Sequence, residues 1–253
     1  METSNRVCVI TGAAHGIGAA TARLMSLHGM MNVVLSDRDK EGADSLMNHL
    51  NTIRPKSSIA FTTDVSDSKQ VSQLMKAAFD RFGRLDILIN NAGISQSKVA
   101  KTADSSLEDW DKVIAVNQSG VYYGMKYAIP YMLEQGHGTV VNVASLAGLV
   151  AAPNNVAYAA SKAAVINMTK TVALEYGKKN IRVNAVCPGY TDTNHFDQLH
   201  ESKPELKERL LRATPMKRLA KVDEIADTIY WLCSDQTTFI TGQTLTIDGG
   251  ISL

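Results

Sequence analysis

Tyr158 and Lys162 stand four residues apart in a segment with helical patterning, which puts them on one face, one turn apart. A phenol titrates near roughly 10, too high for it to act as a base at neutral pH. An ammonium beside it favours the phenolate, so the pair can serve as a general acid/base unit. Ser145 follows the apolar run Thr139–Val143, at the C-terminal end of an expected strand. There its hydroxyl can hydrogen-bond a carbonyl or alkoxide oxygen and stabilise developing charge. Asn117 opens another helical pattern and reads either as a fourth member of this group or as a plain helix cap. The chemistry these residues can perform is proton transfer at an oxygen-bearing carbon.

A partner for that chemistry is suggested by Thr11-Gly12-Ala13-Ala14-His15-Gly16-Ile17-Gly18, which follows the first strand and opens the first helix. Glycines in that setting allow a tight turn and let backbone N–H groups and a helix N-terminus approach a pyrophosphate. The spacing G-x-x-x-G-x-G differs from the general G-x-G-x-x-G fingerprint. Asp37 ends the second strand, close to the roughly 20-residue offset at which an acid meets the adenosine ribose. A carboxylate there accepts from the ribose hydroxyls and repels a 2′-phosphate, so NAD is expected and NADP disfavoured. Arg38, next in the chain, is expected over the adenine face. Asp64-Val65 ends the third strand, where Asp64 reaches the adenine amino group or serves as a local cap.

These groups need a frame. Seven short β-branched runs, Val7–Ile10, Asn32–Ser36, Ile59–Thr63, Leu85–Asn90, Thr139–Val143, Ile181–Cys187 and Leu245–Ile247, read as buried strands. Continuous apolar runs rather than alternation indicate a parallel sheet covered on both faces. Helical patterns lie between them, among them Ile17–Leu27, Asp67–Phe82, Asn117–Glu134, Ala157–Gly177 and Val222–Ser234. The expected fold is therefore α/β, a doubly wound Rossmann-type sheet of seven parallel strands with helices on both faces, in one domain over 1–253. The irregular stretch from Gly189 to Leu219, with a helical segment over Glu201–Arg212, is expected to be a substrate lid at about 190–219.

Bulk properties narrow the field further. Lys and Arg total 26 against 25 Asp and Glu, so no net field recruits nucleic acid or an anionic membrane. A content of 45% hydrophobic and 20% charged residues supports a large core rather than a disordered chain. No window nears the ~20 apolar residues of a membrane-spanning helix, and METSNRVCVITG lacks the pattern of a secretory signal. Cys8, Cys187 and Cys233 read as reduced thiols of a cytoplasmic protein, and the six histidines have no zinc-like spacing, so no metal is expected.

Taken together and in order, these motifs resemble the classical short-chain dehydrogenases/reductases over essentially the whole chain. The matching pieces are residues 11–18, Asp37, Asp64-Val65, Asn90-Asn91-Ala92-Gly93, Asn117, Ser145, Tyr158 with Lys162, Pro188-Gly189, Thr241-Gly242 and Asp248-Gly249-Gly250. The resemblance implies a catalytic tetrad of Asn117, Ser145, Tyr158 and Lys162. In it Tyr158 is the general acid/base and Ser145 holds the substrate oxygen. Lys162 binds the nicotinamide ribose and lowers the tyrosine pKa, and a backbone carbonyl at Asn117 holds a relay water. It also implies that Asn91, Ala92 and Gly93 lie beside the adenosine side of the cofactor. Pro188, Gly189, Thr191 and Thr193 then face the nicotinamide carboxamide. The implied activity is NAD(H)-dependent interconversion of a secondary alcohol and a ketone by a homotetramer, although a dimer fits the sequence equally.

Departures matter as well. Thr191 stands where the family more often has Ile or Val. His15 replaces the Lys or Arg of NADP-preferring relatives, which supports NAD. Two rivals remain: a 3-oxoacyl-carrier-protein reductase and a non-catalytic dinucleotide-binding regulator. The first is disfavoured by Gly136 and Leu174, where basic residues are expected, and the second by the intact tetrad. Cys187 and the Tyr122–Met132 stretch read as packing residues, and Tyr230 and Trp231 as core or subunit-interface residues. His195 either touches substrate within the lid or faces solvent. The expected substrate is small and neutral, bounded by Ser95–Val99, Leu146–Asn154 and Tyr190–Leu211.

Overall fold

The computed structural model describes residues 5–193 and 204–253. Seven strands form one parallel sheet in the order β3-β2-β1-β4-β5-β6-β9. They are β1 (Val7–Thr11), β2 (Asn32–Asp37), β3 (Ser58–Thr62), β4 (Ile87–Asn90), β5 (Gly138–Val143), β6 (Ile181–Pro188) and β9 (Thr244–Ile247). All seven expected strands are present, with ends displaced by one or two residues. A two-stranded pair, β7 (Thr191–Asp192) with β8 (Ala220–Lys221), ties the two ends of the long segment after β6.

The five interior strands feed both faces, while the edge strands β3 and β9 each feed one. Along β1, Val7 and Val9 join one buried cluster while Cys8 and Ile10 join the other. That explains why the strands read as unbroken apolar runs. The first cluster takes Leu74 and Met75 from α3 (Ser68–Phe82), Met125 and Ile129 from α5 (Gly120–Gln135), and Val165 and Ile166 from α6 (Val156–Tyr176). The second takes Met25 from α1 (Gly16–Leu27), Leu46 and Leu50 from α2 (Lys40–Ile53), and Ile225, Ile229 and Leu232 from α8 (Val222–Cys233). The helix α2 is absent from the sequence expectations above. Its start is set by Asp39, whose side chain accepts from Gly42 N.

The expected helix beginning at Asn117 is corrected. The helical path starts at α4 (Leu107–Val113) and passes through a π turn over Ile114–Ser119 into α5. Asn117 is thus internal, not a cap, and Ser106 caps α4 through Asp109 N. In the long segment, α7 spans Pro204–Ala213, and His195 lies outside the described residues. Cys187 is fully buried and Tyr230 packs against the second cluster, as their packing readings require, whereas Trp231 and Tyr122 are exposed. Among the described residues, no helix is long and apolar enough to cross a membrane, and no His, Cys, Asp and Glu group is placed to hold a metal.

Candidate active site

β5 and α6 bring the proton-handling residues together. Just beyond the end of β5, Ser145 accepts from Ala147 N at 3.2 Å and so starts the short turn Leu146–Gly148. Tyr158 lies in the first turn of α6 and Lys162 one turn on. Lys162 is 3% exposed, its Nζ donates to the Val143 carbonyl at 2.8 Å, and it sits 5.7 Å from the centre of the Tyr158 ring. Burial pushes the Lys162 ammonium down to about 8. Burial also pushes the Tyr158 phenol up, partly offset by a hydrogen bond with Ser145. The lysine therefore does not acidify the phenol within the protein alone. Desolvation disfavours both charged forms.

Asn117 works through its side chain. Its Oδ1 accepts from Ile94 N at 2.8 Å, and its Nδ2 donates to the Ile94 carbonyl at 2.9 Å and to Ser161 Oγ at 3.2 Å. It therefore clamps the loop after β4 against α6, from a π turn of the kind often found at functional positions. A Cβ at Gly93 would lie 3.3 Å from Lys162 Nζ and 3.4 Å from Asn117 Oδ1, so Gly93 joins this cluster to the rest of the cleft.

The glycine turn forms the other wall. Gly12 has φ +66°, and a Cβ there would come within 2.8 Å of Ala92 Cα. A larger residue is excluded on both counts. A side chain at Gly18 would overlap the Gly12 carbonyl. Asn91 holds the turn by donating to the Thr11 and Gly12 carbonyls at 3.0 and 2.8 Å, while Thr11 Oγ1 accepts from Asn91 N and Ala92 N. Gly12, Gly16, Asp37, Arg38, Asp64, Val65, Asn91, Ala92, Gly93 and Thr193 line a cavity of about 490 Å³ together with His15. Ile17 turns inward and packs against the second cluster. Asp37 accepts from Ala14 N at 2.9 Å and Asp39 N at 3.0 Å. Arg38 lies 3.8 Å from Asp64, whose Oδ1 also accepts from Ser66.

Beyond β6, Gly189 N donates to the Ile247 carbonyl, and a Cβ on Gly189 would press on Asp248 at 2.8 Å. Thr191 is buried and donates to the Gly189 carbonyl at 3.2 Å, so its hydroxyl is taken up within the Pro188–Thr193 turn. Sequence reasoning did not single out Asp39, Thr63, Ile94 or Val116 as cavity residues. A helix-capping Asp at residue 39 was the one available signal.

This cleft opens at the C-terminal ends of β1 and β4, where the strand order reverses, the place at which open α/β sheets bind nucleotides. The class so defined is a Rossmann-type oxidoreductase. A family model described as enoyl-(acyl carrier protein) reductase matches residues 12–252. The chain is 40% identical over 251 residues to a 3-oxoacyl-(acyl-carrier-protein) reductase of Thermotoga maritima, covering 99% of both chains. It is also 40% identical over 247 residues to cis-4-hydroxycyclohexanecarboxylate dehydrogenase of Sinomonas cyclohexanicum, covering 98% of this chain and 96% of the other. Among solved structures, a 3-ketoacyl-(acyl-carrier-protein) reductase from Brucella melitensis complexed with NADH superposes with TM-score 0.89 at 34% identity, covering 99% of this chain and all of that one. ElxO with NADP bound gives TM-score 0.91, also at 34% identity, over 98% and 99%. The chain belongs to the short-chain dehydrogenase/reductase family of oxidoreductases.

Proposed function

We propose that the protein interconverts a secondary alcohol and a ketone with NAD(H), with Tyr158 as general acid/base. The observation that carries this is that Tyr158 hydrogen-bonds Ser145 and lies beside Lys162, which in turn lies beside Gly93 in the lining of the cleft that begins at the glycine turn. The cleft suits a nicotinamide dinucleotide. Missing side chains at Gly12 and Gly16 leave backbone free to approach a pyrophosphate, and Asp37 stands at the ribose position. Such a cofactor supplies the hydride donor or acceptor.

The chain's own residues handle the proton. In alcohol oxidation the Tyr158 oxygen takes the hydroxyl proton as hydride leaves the same carbon, and in ketone reduction it returns a proton to the carbonyl oxygen. Ser145 donates to that oxygen and fixes its position. Lys162 presents its ammonium to a ribose, and positive charge on an oxidised ring adds the field that favours phenolate. Asn117 orders the Ile94 loop, and the nearby backbone carries a relay water. The whole chain acts as one catalytic domain, with 190–219 as the substrate lid and four copies assembling in the cytoplasm.

The experiment is a screen of secondary alcohols and ketones with both cofactors, following NADH absorbance, in parent and Asp37→Ala proteins. Expected are NAD-dependent turnover by the parent and, in the variant, a raised KM for NAD with weaker discrimination against NADP. Equal use of both cofactors by the parent would sink the cofactor reading. A second reading, reduction of 3-oxoacyl carrier-protein thioesters, is favoured by the Thermotoga maritima relative. Against it, Leu174 presents an apolar, 85% exposed side chain, and Gly136 is a helix-ending glycine at φ +79°. Strong preference for a carrier thioester and NADPH would establish that alternative.

A further inference from the structure

Three carboxylates, one guanidinium and one imidazole share the adenosine end of the cleft: Asp37, Asp39, Asp64, Arg38 and His15. The guanidinium and the imidazole N–H are the donors a 2′-phosphate would seek. Both are already engaged: His15 Nε2 lies 2.6 Å from Asp39 Oδ2, and Arg38 lies 3.8 Å from Asp64. The two acids next to them in sequence do different work. Asp37 spends its oxygens on Ala14 N and Asp39 N. Asp39 places one oxygen on Gly42 N at 3.0 Å to cap α2 and the other on His15. The cap fixes the carboxylate, and the carboxylate fixes the imidazole.

We infer that Asp39 is a specificity-determining residue for the cofactor, withdrawing His15 from a 2′-phosphate by holding its ring against the start of α2. This deepens the NAD reading proposed above and rests on it. Discrimination against NADP is then shared between Asp37, which repels, and Asp39, which occupies an imidazole donor that would otherwise reach the phosphate. The Asp39 carboxyl sits below its ordinary range because Gly42 N–H and His15 both favour its charged form, so the pairing persists at neutral pH. Both side chains are partly open to solvent, at 61% for His15 and 42% for Asp39, so the effect is no larger than that of an exposed polar pair.

The test is a binding cycle read by cofactor fluorescence, with NADH and NADPH dissociation constants for the parent, Asp39→Asn, His15→Ala and the double variant. Asn retains a side-chain oxygen suited to capping α2, and Asp39→Ser provides a second capping substitution. Expected is a shift of the NADH/NADPH affinity ratio toward NADPH by about fivefold in Asp39→Asn, the size of one exposed polar pair. Less than half of that shift should survive when His15 is Ala. A shift of the same size in both backgrounds overturns the inference, as does equal weakening of both cofactors, which marks Asp39 as a helix cap only. A parent that binds NADPH more tightly than NADH would sink the cofactor preference instead, and the His15-dependent part of the shift would still report the pair separately.

Discussion

The two ends of the parallel sheet carry buried ionisable groups under opposite arrangements. At the end where β4 and β5 begin, Asp86 is 2% exposed and fully engaged. It accepts from Arg84 through two nitrogens at 2.7 and 2.6 Å, from Val7 N at 2.7 Å and from His137 at 2.8 Å. Burial pushes its carboxyl up, but these hydrogen bonds more than reverse that and hold it below the usual carboxylate range. Nearby, Arg182 donates to the Leu232 and Ile240 carbonyls and to Thr139, tying β6 to the end of α8. At the opposite end, Lys162 is as deeply buried, yet it donates to the neutral Val143 carbonyl, and its ammonium falls to about 8. Tyr158 is likewise pushed away from its charged form. At one end the Asp86 charge is satisfied and strands are fastened together. The other leaves charge under-compensated, the condition in which a bound, charged reactant gains most from the site.

Several measurements can break or sharpen this contrast. The largest effect is expected from Tyr158→Phe, with turnover falling by about a thousandfold while cofactor binding stays near normal, since only the transferable proton is removed. A variant with parental rates would remove Tyr158 from the acid/base role. Asp86→Ala should lower unfolding free energy by about 3 kcal/mol, because Arg84, His137 and Val7 N lose a shared acceptor. Chemical denaturation measures this, and the activity of the folded fraction should be unaltered.

Lys162→Met should behave in the reverse manner. Turnover is lost, yet at pH 7 the denaturation midpoint should be no lower than the parent's, since a buried ammonium is replaced by an apolar chain of similar length. The sign follows from linkage. The folded-state value of Lys162, about 8, lies below its ordinary 10.5, so the folded chain binds fewer protons between those values. Parental stability should therefore rise with pH across that window, by up to about 3 kcal/mol, and Lys162→Met should lack the rise. Asp86 gives the same direction, stability rising with pH, but in an acidic window. Its contribution is present above the ordinary carboxylate value and is lost as pH falls through its lowered one. The smallest effect is expected from Arg182→Gln, a loss of about 1 kcal/mol from displaced hydrogen bonds at the fastened end, with no change in kcat/KM.

Much of this molecule was legible before its fold was known. The seven strands announce themselves because burial on both faces demands unbroken β-branched runs such as Val7–Ile10. Tyr158, Lys162 and Ser145 are marked by helical spacing and by position after a strand, and the glycine turn by its place between β1 and α1. Less visible was α2: its polar sequence buries only Ala43, Leu46 and Leu50. The helix start at Asn117 was misplaced because a π turn leaves no signature in local propensity, and an Asn inside a helix looks like its beginning.

Other properties belong to the tertiary arrangement alone. The sequence determines which residue types are present and which face of an element they occupy, since periodicity is a local property. It does not determine their dielectric surroundings. That Lys162 is driven to about 8 while Asp86 is held charged depends on which groups the folded chain brings around each of them. The coupling of His15 to Asp39, 24 residues apart, exists for the same reason: the turn after β1 and the cap of α2 meet only when β1 and β2 pair.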